Sequence, residues 1–169
     1  MKKEIFKYGI IDTPFEKKCF FVFKDDVIYI LYLVDSVEEA FEELKKDKYA
    51  LQLEEDNKAA KTLGKSIFSD KDIQHNIKLG YLKGTDFQKN VWKHLCNVSF
   101  GTKISYSELA KLSGNPKAVR ATASAVAKNQ ISYIIPCHRI VRTGGDVGKF
   151  RWGSDMKREI LAWERKLSE

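Results

Sequence analysis

The sequence has little cysteine. Cys19, Cys96 and Cys137 are an odd set without the paired spacing of a disulfide framework, which points to a reducing, cytoplasmic setting. Met1 to Phe15 lacks the apolar core of a signal peptide. The longest strongly apolar run, Val27 to Val34, is far shorter than the ~20 residues of a membrane-spanning helix. No membrane partner is therefore expected. Cys19 and His75 are too scattered to form a metal-ligand set, so neither metal nor cofactor is expected. Acidic residues are scarce in one half only: residues 84–169 hold 15 Lys and Arg against 7 Asp and Glu, whereas residues 1–83 hold 15 against 16. A basic excess confined to one half is the electrostatic mark of a polyanion partner such as nucleic acid.

What is present is enough apolar residue, 43% of 169, to build a core in one domain or in two small ones. The change of charge at Gly84 divides the chain into a structural α+β domain, 1–83, and a domain carrying the chemistry, 84–169. In the first, Glu4 to Ile11, Lys18 to Phe23 and Val27 to Leu33 read as strands, with a hairpin turn at Lys24-Asp25-Asp26. Ser36 to Lys46 and Asn57 to Phe68 read as helices capped by Ser36 and Asn57, with Asp56 just before the second, and a last strand is expected between Ile73 and Leu82.

The second half is expected to be mostly helical. Thr85-Asp86-Phe87-Gln88 is a capping box ahead of the apolar stripe Val91, Trp92, Leu95, and Ser105-Tyr106-Ser107-Glu108 repeats it before a short helix ended by Gly114. Asn115-Pro116 reads as cap and first position of a further helix to about Lys128. Together these make a helix-turn-helix. The second helix, Lys117-Ala118-Val119-Arg120-Ala121-Thr122-Ala123-Ser124-Ala125-Val126-Ala127, is small-sided apart from Arg120. Alanine is also simply the best helix former, so a packed structural helix remains an alternative. A small-sided helix can instead approach a DNA groove closely, with Lys111, Lys117 and Lys128 near phosphates.

Beyond Asn129 the chain is expected to run extended through Ile131 to Ile135 and on to Val141, placing Cys137 and His138 on opposite sides of a strand. A thiol beside an imidazole in Ile135-Pro136-Cys137-His138-Arg139-Ile140 is a candidate nucleophile and base, although a lone cysteine is more often a small core residue. The loop Asp146 to Gly153 carries Lys149, Phe150, Arg151 and Trp152. The closing helix starts at Ser154 or Asp155 and presents Ile160, Leu161 and Trp163 as its apolar face.

In order along the chain, Thr85-Asp86-Phe87-Gln88 with Val91-Trp92, Ile104-Ser105-Tyr106, Gly114-Asn115-Pro116-Lys117-Ala118-Val119-Arg120-Ala121, Asn129, Ile135-Pro136-Cys137-His138-Arg139, Gly148 and Glu164 resemble the O6-alkylguanine-DNA alkyltransferases. The resemblance implies a monomeric, single-turnover repair protein. It flips an O6-alkylguanine, or an O4-alkylthymine, out of double-stranded DNA entered from the minor groove, and moves the alkyl group to its own cysteine. By the same resemblance Cys137 is the acceptor, His138 a base acting through a water, Glu164 the carboxylate that orients it, and Asn129 a structural asparagine at the site. Tyr106 donates to the guanine and Arg120 fills the gap in the base stack. Lys117, Ala118, Ala121 and Ser124 are placed at the DNA, and Ile140, Phe150, Arg151 and Trp152 at the base and alkyl pocket, which a bulky Trp152 would narrow. The metal-binding cysteines and histidines of some relatives are not evident. Rival readings of the residues are a lesion-binding protein of the same fold, which would lack Cys137, a helix-turn-helix regulator, and a cysteine hydrolase using Cys137, His138 and Glu164.

Overall fold

The computed structural model describes residues 4–69 and 71–169, and the chain divides into two compact units, Met1–Tyr81 and Leu82–Glu169. The first unit is a mixed five-stranded sheet. Strands β1 (Ile5–Ile11), β2 (Lys18–Lys24) and β3 (Val27–Val34) form an antiparallel meander, with Asp25 at φ 54° in the turn between the last two. Two further strands, β4 (Gln52–Glu55) and β5 (Lys78–Leu79), pair parallel at the edges, giving the order β4-β1-β2-β3-β5.

Helix α1 (Val37–Lys46) lies on one face, where Phe41 packs edge-on against Tyr8 and beside Phe20. Helix α2 (Asn57–Gly64) lies on the other, so close that a Cβ on Gly9 would sit 2.2 Å from Ala60 Cβ. Cover on both faces explains why β2, from Cys19 to Phe23, is buried throughout instead of alternating. Two expectations need correction here. The cap of α2 is Asp56, whose side chain accepts from the Ala59 N–H, because Asn57 is engaged by the Ile10 N–H and by Glu55. The segment 73–82 is not one strand: Ile73–Asn76 forms a single helical turn, α3, before the two residues of β5.

The second unit is built on three packed helices. Both capping boxes form, at the starts of α4 (Asp86–Leu95) and α5 (Tyr106–Leu112). Helix α6 (Val119–Ala127) is tied to α4 by the Trp92 indole N–H, which donates to the Ala125 carbonyl at 2.8 Å. The α6 start differs from the Asn115-Pro116 expectation. Those residues form a turn, closed by the Ala118 N–H donating to the Asn115 carbonyl at 2.9 Å, and the helix begins after Ala118 with no side-chain cap. Proline at the second position of such a turn is as natural as at a helix start. The turn between α5 and α6 reverses at Gly114, φ 85°.

After α6 the chain is not extended. The Asn129 side chain accepts from the Ile131 N–H at 2.9 Å and donates to the Ile135 carbonyl at 3.0 Å, curling residues 129–135 into a compact loop. Cys137–Arg139 follow as a 3-10 turn, then Ile140–Val141 form β7, which pairs parallel with β6 (Ile104–Ser105). The closing helix is α7 (Ser154–Ser168). Its inward face is Met156, Lys157, Ile160 and Glu164, whereas Leu161 and Trp163 are half-buried. The expected all-apolar face is thus partly ionisable.

Candidate active site

The 3-10 turn places Cys137 at a pocket of about 380 Å³ lined by Tyr106 from α5, by Ala123, Val126 and Ala127 from α6, by Asn129 and Ser132, and by Lys149, Phe150 and Arg151 from the loop before α7. The small side chains of α6 leave room there that larger ones would fill. Of the three free thiols, Cys19 is fully buried and strongly raised in pKa by that burial. Cys96 is pushed up to about 11 by burial and does not line the pocket. Geometry therefore singles out Cys137.

Burial also raises the Cys137 thiol. The Asn129 side chain, the Lys157 ammonium and the backbone N–H groups of Cys137 and Tyr133 act in the opposite direction, each favouring a negative sulfur. Tyr133 does so from φ 70°, a left-handed conformation that an aromatic residue rarely adopts and that is sustained only when its surroundings enforce it. The same residue stacks on the His138 ring, with centroids 5.6 Å apart and planes within 6°.

His138 is wholly buried and its Nε2 is hydrogen-bonded to Glu164 Oε1. Its Nδ1 is also buried and has no protein hydrogen-bond partner. With Nε2–H donating to the carboxylate, Nδ1 carries the lone pair. Burial lowers the imidazole's pKa, against the raising effect of Glu164, so the ring is neutral near pH 7. Burial pushes the Glu164 carboxyl up, but hydrogen bonds and charge from His138 and Arg139 outweigh it and hold the group below the usual carboxylate range. Arg139 donates from Nε to both Glu164 oxygens, at 2.8 and 3.1 Å, and from Nη1 to the Val98 carbonyl at 2.7 Å. Its guanidinium carbon stands 5.4 Å from the Phe100 ring centroid. His138 is not among the main influences on the thiol, although the two residues are adjacent in one tight turn rather than on opposite sides of a strand.

Outside the pocket, Lys117, Arg120, Ala121, Ser124 and Lys128 are exposed along one side of α6 and its approach, opposite the buried Thr122, Ala125 and Val126. Ala118 is half-buried at the helix start. Two of the expected pocket residues stand elsewhere. Ile140 is wholly buried in β7 and does not line the pocket. Trp152 does not line it either: its indole N–H donates to Ser132 Oγ at 2.8 Å, fixing a wall residue instead of narrowing the space. Sequence reasoning gave no role to Arg139, Tyr133, Ser132 or Lys157. Only Arg139, as part of the Pro-Cys-His-Arg run, carried any sequence signal.

Residues 86–166 match the family model described as 6-O-methylguanine DNA methyltransferase, DNA binding domain. The chain is 30% identical over 183 aligned positions to a methylated-DNA–protein-cysteine methyltransferase of Saccharomyces cerevisiae, an alignment covering 98% of this chain and 96% of the yeast protein. The chain belongs to the methylated-DNA–protein-cysteine methyltransferase family. A relative of the same description from Kluyveromyces lactis is 51% identical over 96 residues, 57% of this chain, and the matched part spans about half (51%) of that relative's length. Among solved structures, the Mycobacterium tuberculosis O6-methylguanine methyltransferase superposes with a TM-score of 0.72 at 25% identity, covering 95% of this chain and 93% of that one. The family's α+β architecture, strands first and helices after, is the one described above. Among the described residues, no helix is long and apolar enough to cross a membrane.

Proposed function

We propose that this chain repairs double-stranded DNA by direct reversal, moving an alkyl group from O6 of guanine, with O4-alkylthymine as a second lesion, onto Cys137. The observation that carries the reading is Cys137 at the pocket beside α6, backed by a buried imidazole whose Nε2 is held by Glu164 and whose Nδ1 is left to accept a proton. A thiol raised by burial is not ionised at rest, so attack requires a base. The thiol proton passes through a water to His138 Nδ1, and Glu164 stabilises the imidazolium that forms. The sulfur then bonds to the alkyl carbon as the carbon–O6 bond breaks. The guanine keeps that electron pair, its ring stabilised by a hydrogen bond from the Tyr106 hydroxyl, and then takes up a proton from water.

Asn129 holds the loop that aims the sulfur, while Phe150 and Arg151 form the outer pocket wall. The exposed Lys117, Ala121 and Ser124, with the half-buried Ala118 at the start of α6, rest on the minor groove, and Arg120 enters the vacancy left by the flipped nucleotide. Flipping costs a few kcal/mol, least where pairing is already damaged, and a side chain that replaces the lost stacking offsets that cost. Residues 84–169 supply DNA binding and chemistry, 1–83 support them, and the protein acts as a cytoplasmic monomer. A thioether is a poor leaving group, so each molecule reacts once.

Mass spectrometry after mixing the protein with duplex DNA containing O6-methylguanine tests this. One methyl group per protein is expected, on Cys137. Unmodified protein, a methyl group on another residue, or continuing turnover would overturn the proposal.

A further inference from the structure

Between α6 and the nucleophile, Tyr133 holds a backbone conformation that side chains disfavour, and no step of the alkyl transfer uses its ring. It is the middle residue of a three-residue turn. The Ile134 N–H donates to the Ser132 carbonyl at 2.9 Å, and φ 70° at Tyr133 matches the rare, strained hand of the γ-turn. Bonds on either side hold that turn: the Ile135 N–H donates to the Ile131 carbonyl at 3.0 Å, and Asn129 closes the loop from both ends. Strain of this kind persists only where the surrounding structure fixes it, and it clusters at functional sites.

The Tyr133 side chain is buried, its ring parallel to that of His138 with centroids 5.6 Å apart, and Trp163 of α7 packs against it at 6.3 Å. The edge of the imidazole is committed elsewhere, Nε2 to Glu164 and Nδ1 to the incoming proton. Its face belongs to Tyr133. The charged groups acting on His138 are Glu164 and Lys157 from α7 and Arg139 from its own turn; Glu164 favours the imidazolium and the two cations disfavour it. Glu164 is also the partner of Arg139, so once the imidazole is protonated one carboxylate serves two buried cations. An aromatic face carries negative potential and attracts a cation within about 6 Å of its centroid, most strongly where water is excluded. Toward a neutral imidazole the same face offers packing alone.

Resting on the reading of Cys137 as alkyl acceptor and His138 as its base, we propose that Tyr133 is a positioning residue acting through His138: its ring face stabilises the imidazolium formed when the thiol proton is transferred. The proton leaves the sulfur, passes through the water and binds Nδ1, while the sulfur keeps the electron pair of the S–H bond. Positive charge then appears on the ring that Tyr133 covers. The backbone N–H of the same residue favours the negative sulfur, so one residue serves both charges of the pair. Because the attraction grows only as charge develops, it lowers the barrier to transfer instead of tightening the resting state.

The test drains the ring face without changing its shape. Phenylalanine and its difluoro and trifluoro forms are placed at position 133 of the full chain, and the 13C-labelled His138 imidazole is titrated by NMR without DNA. Tyr133→Phe, which keeps the face, should stay near the wild-type midpoint. Added fluorine should lower the midpoint stepwise, because a poorer face stabilises the imidazolium less, and Tyr133→Leu should lower it by about half to one pH unit. A midpoint that stays constant across the fluorinated series would overturn the proposal, since packing is preserved throughout it.

Single-turnover methyl transfer from O6-methylguanine duplex reads the same quantity in the reaction. In Tyr133→Leu the rate at neutral pH should fall about three- to tenfold, and the low-pH limb, set by protonation of His138, should move to lower pH. A slower rate with an unmoved limb is the mark of a structural role only and would also overturn it. If instead the NMR midpoints behave as stated and no methyl group is taken from the DNA, the repair function fails while the pairing of Tyr133 with the imidazolium stands.

Discussion

Glu164→Gln is the substitution that bears most directly on the buried network, because it preserves size and removes only charge. Glu164 is wholly buried and accepts from His138 Nε2, from Arg139 Nε at 2.8 and 3.1 Å, and from the Gly101 N–H at 3.4 Å. The amide offers one acceptor oxygen where the carboxylate offered two, and it presents an NH2 group to one of two donors. Arg139, only 2% exposed, would then keep its charge with the Val98 carbonyl and the Phe100 face as its remaining partners. Breaking a buried pair in this way typically costs about 3–5 kcal/mol, because the surviving charge is left uncompensated. With a urea dependence of about 2 kcal/mol per molar, the unfolding midpoint should fall by about 2 M. Chemistry should suffer as well: without the carboxylate, no anion fixes the proton on Nε2 or neutralises the imidazolium, and methyl transfer should slow by about 10²–10⁴-fold. The assays are urea unfolding followed by circular dichroism, and single-turnover methyl transfer from O6-methylguanine duplex under conditions where the variant is folded. A variant within about 1 kcal/mol of the wild type in stability and within about threefold in rate would show that the Glu164 charge does neither job, and the reading of the network would be wrong.

Acid should destabilise the second unit in two steps of the same sign. His138 has a folded pKa below its unfolded value of about 6.5, so as pH falls through that value the unfolded chain takes up a proton that the folded one refuses, and stability is lost. Glu164 has a lowered folded pKa, so its contribution is present above the unfolded value of about 4.3 and is lost as pH falls through the folded one. Urea midpoints measured against pH should decline from about pH 6.5 downward, and His138→Phe should remove the upper step; a flat profile down to about pH 5 would contradict both assignments. Cys137→Ala should still bind lesion-bearing duplex in a fluorescence anisotropy assay while leaving the methyl group on the DNA; loss of binding would place the sulfur in recognition instead of chemistry. Arg120→Ala should slow repair of duplex far more than reaction with the free alkylated base, and an equal loss on both substrates would rule out a role in filling the base stack.

The helix boundaries of the second unit were legible wherever a side chain closes its own cap. Thr85 with Gln88 and Ser105 with Glu108 do so within four residues, and both boxes are formed. Signals that admit two local solutions misled. Asn115-Pro116 suits a helix start and a turn equally, and the choice of the turn depends on packing of α6 against α4 and α5. The loop 129–135 reads as a strand because Ile131, Tyr133, Ile134 and Ile135 are strand-forming residues, but they are buried here by a loop that the Asn129 side chain closes from both ends. Tertiary contacts override propensity at such short runs.

The same limit governs the site. Cys137 and His138 could be found from their adjacency, and Glu164 came only with the family resemblance, since nothing local marks a glutamate in an exposed-looking helix as buried. Arg139 and Lys157 show why. The partner of Arg139 lies 25 residues away at Glu164, and Lys157 reaches the carbonyls of Ile140 and Lys149, 17 and 8 residues away. A helical face written Met156, Lys157, Ile160, Glu164 looks half solvated by composition, yet it is the face that points inward. The burial of two ionisable side chains on one helix, one beneath the base and one beside the nucleophile, is costly unless each charge has a partner. Glu164 has two such partners at rest. Lys157 donates to the Ile140 and Lys149 carbonyls, and Asp146 favours its charged form. A buried thiol that ionises only when His138 takes its proton, and a thioether that offers no leaving group afterwards, together give a protein that reacts once and is then spent.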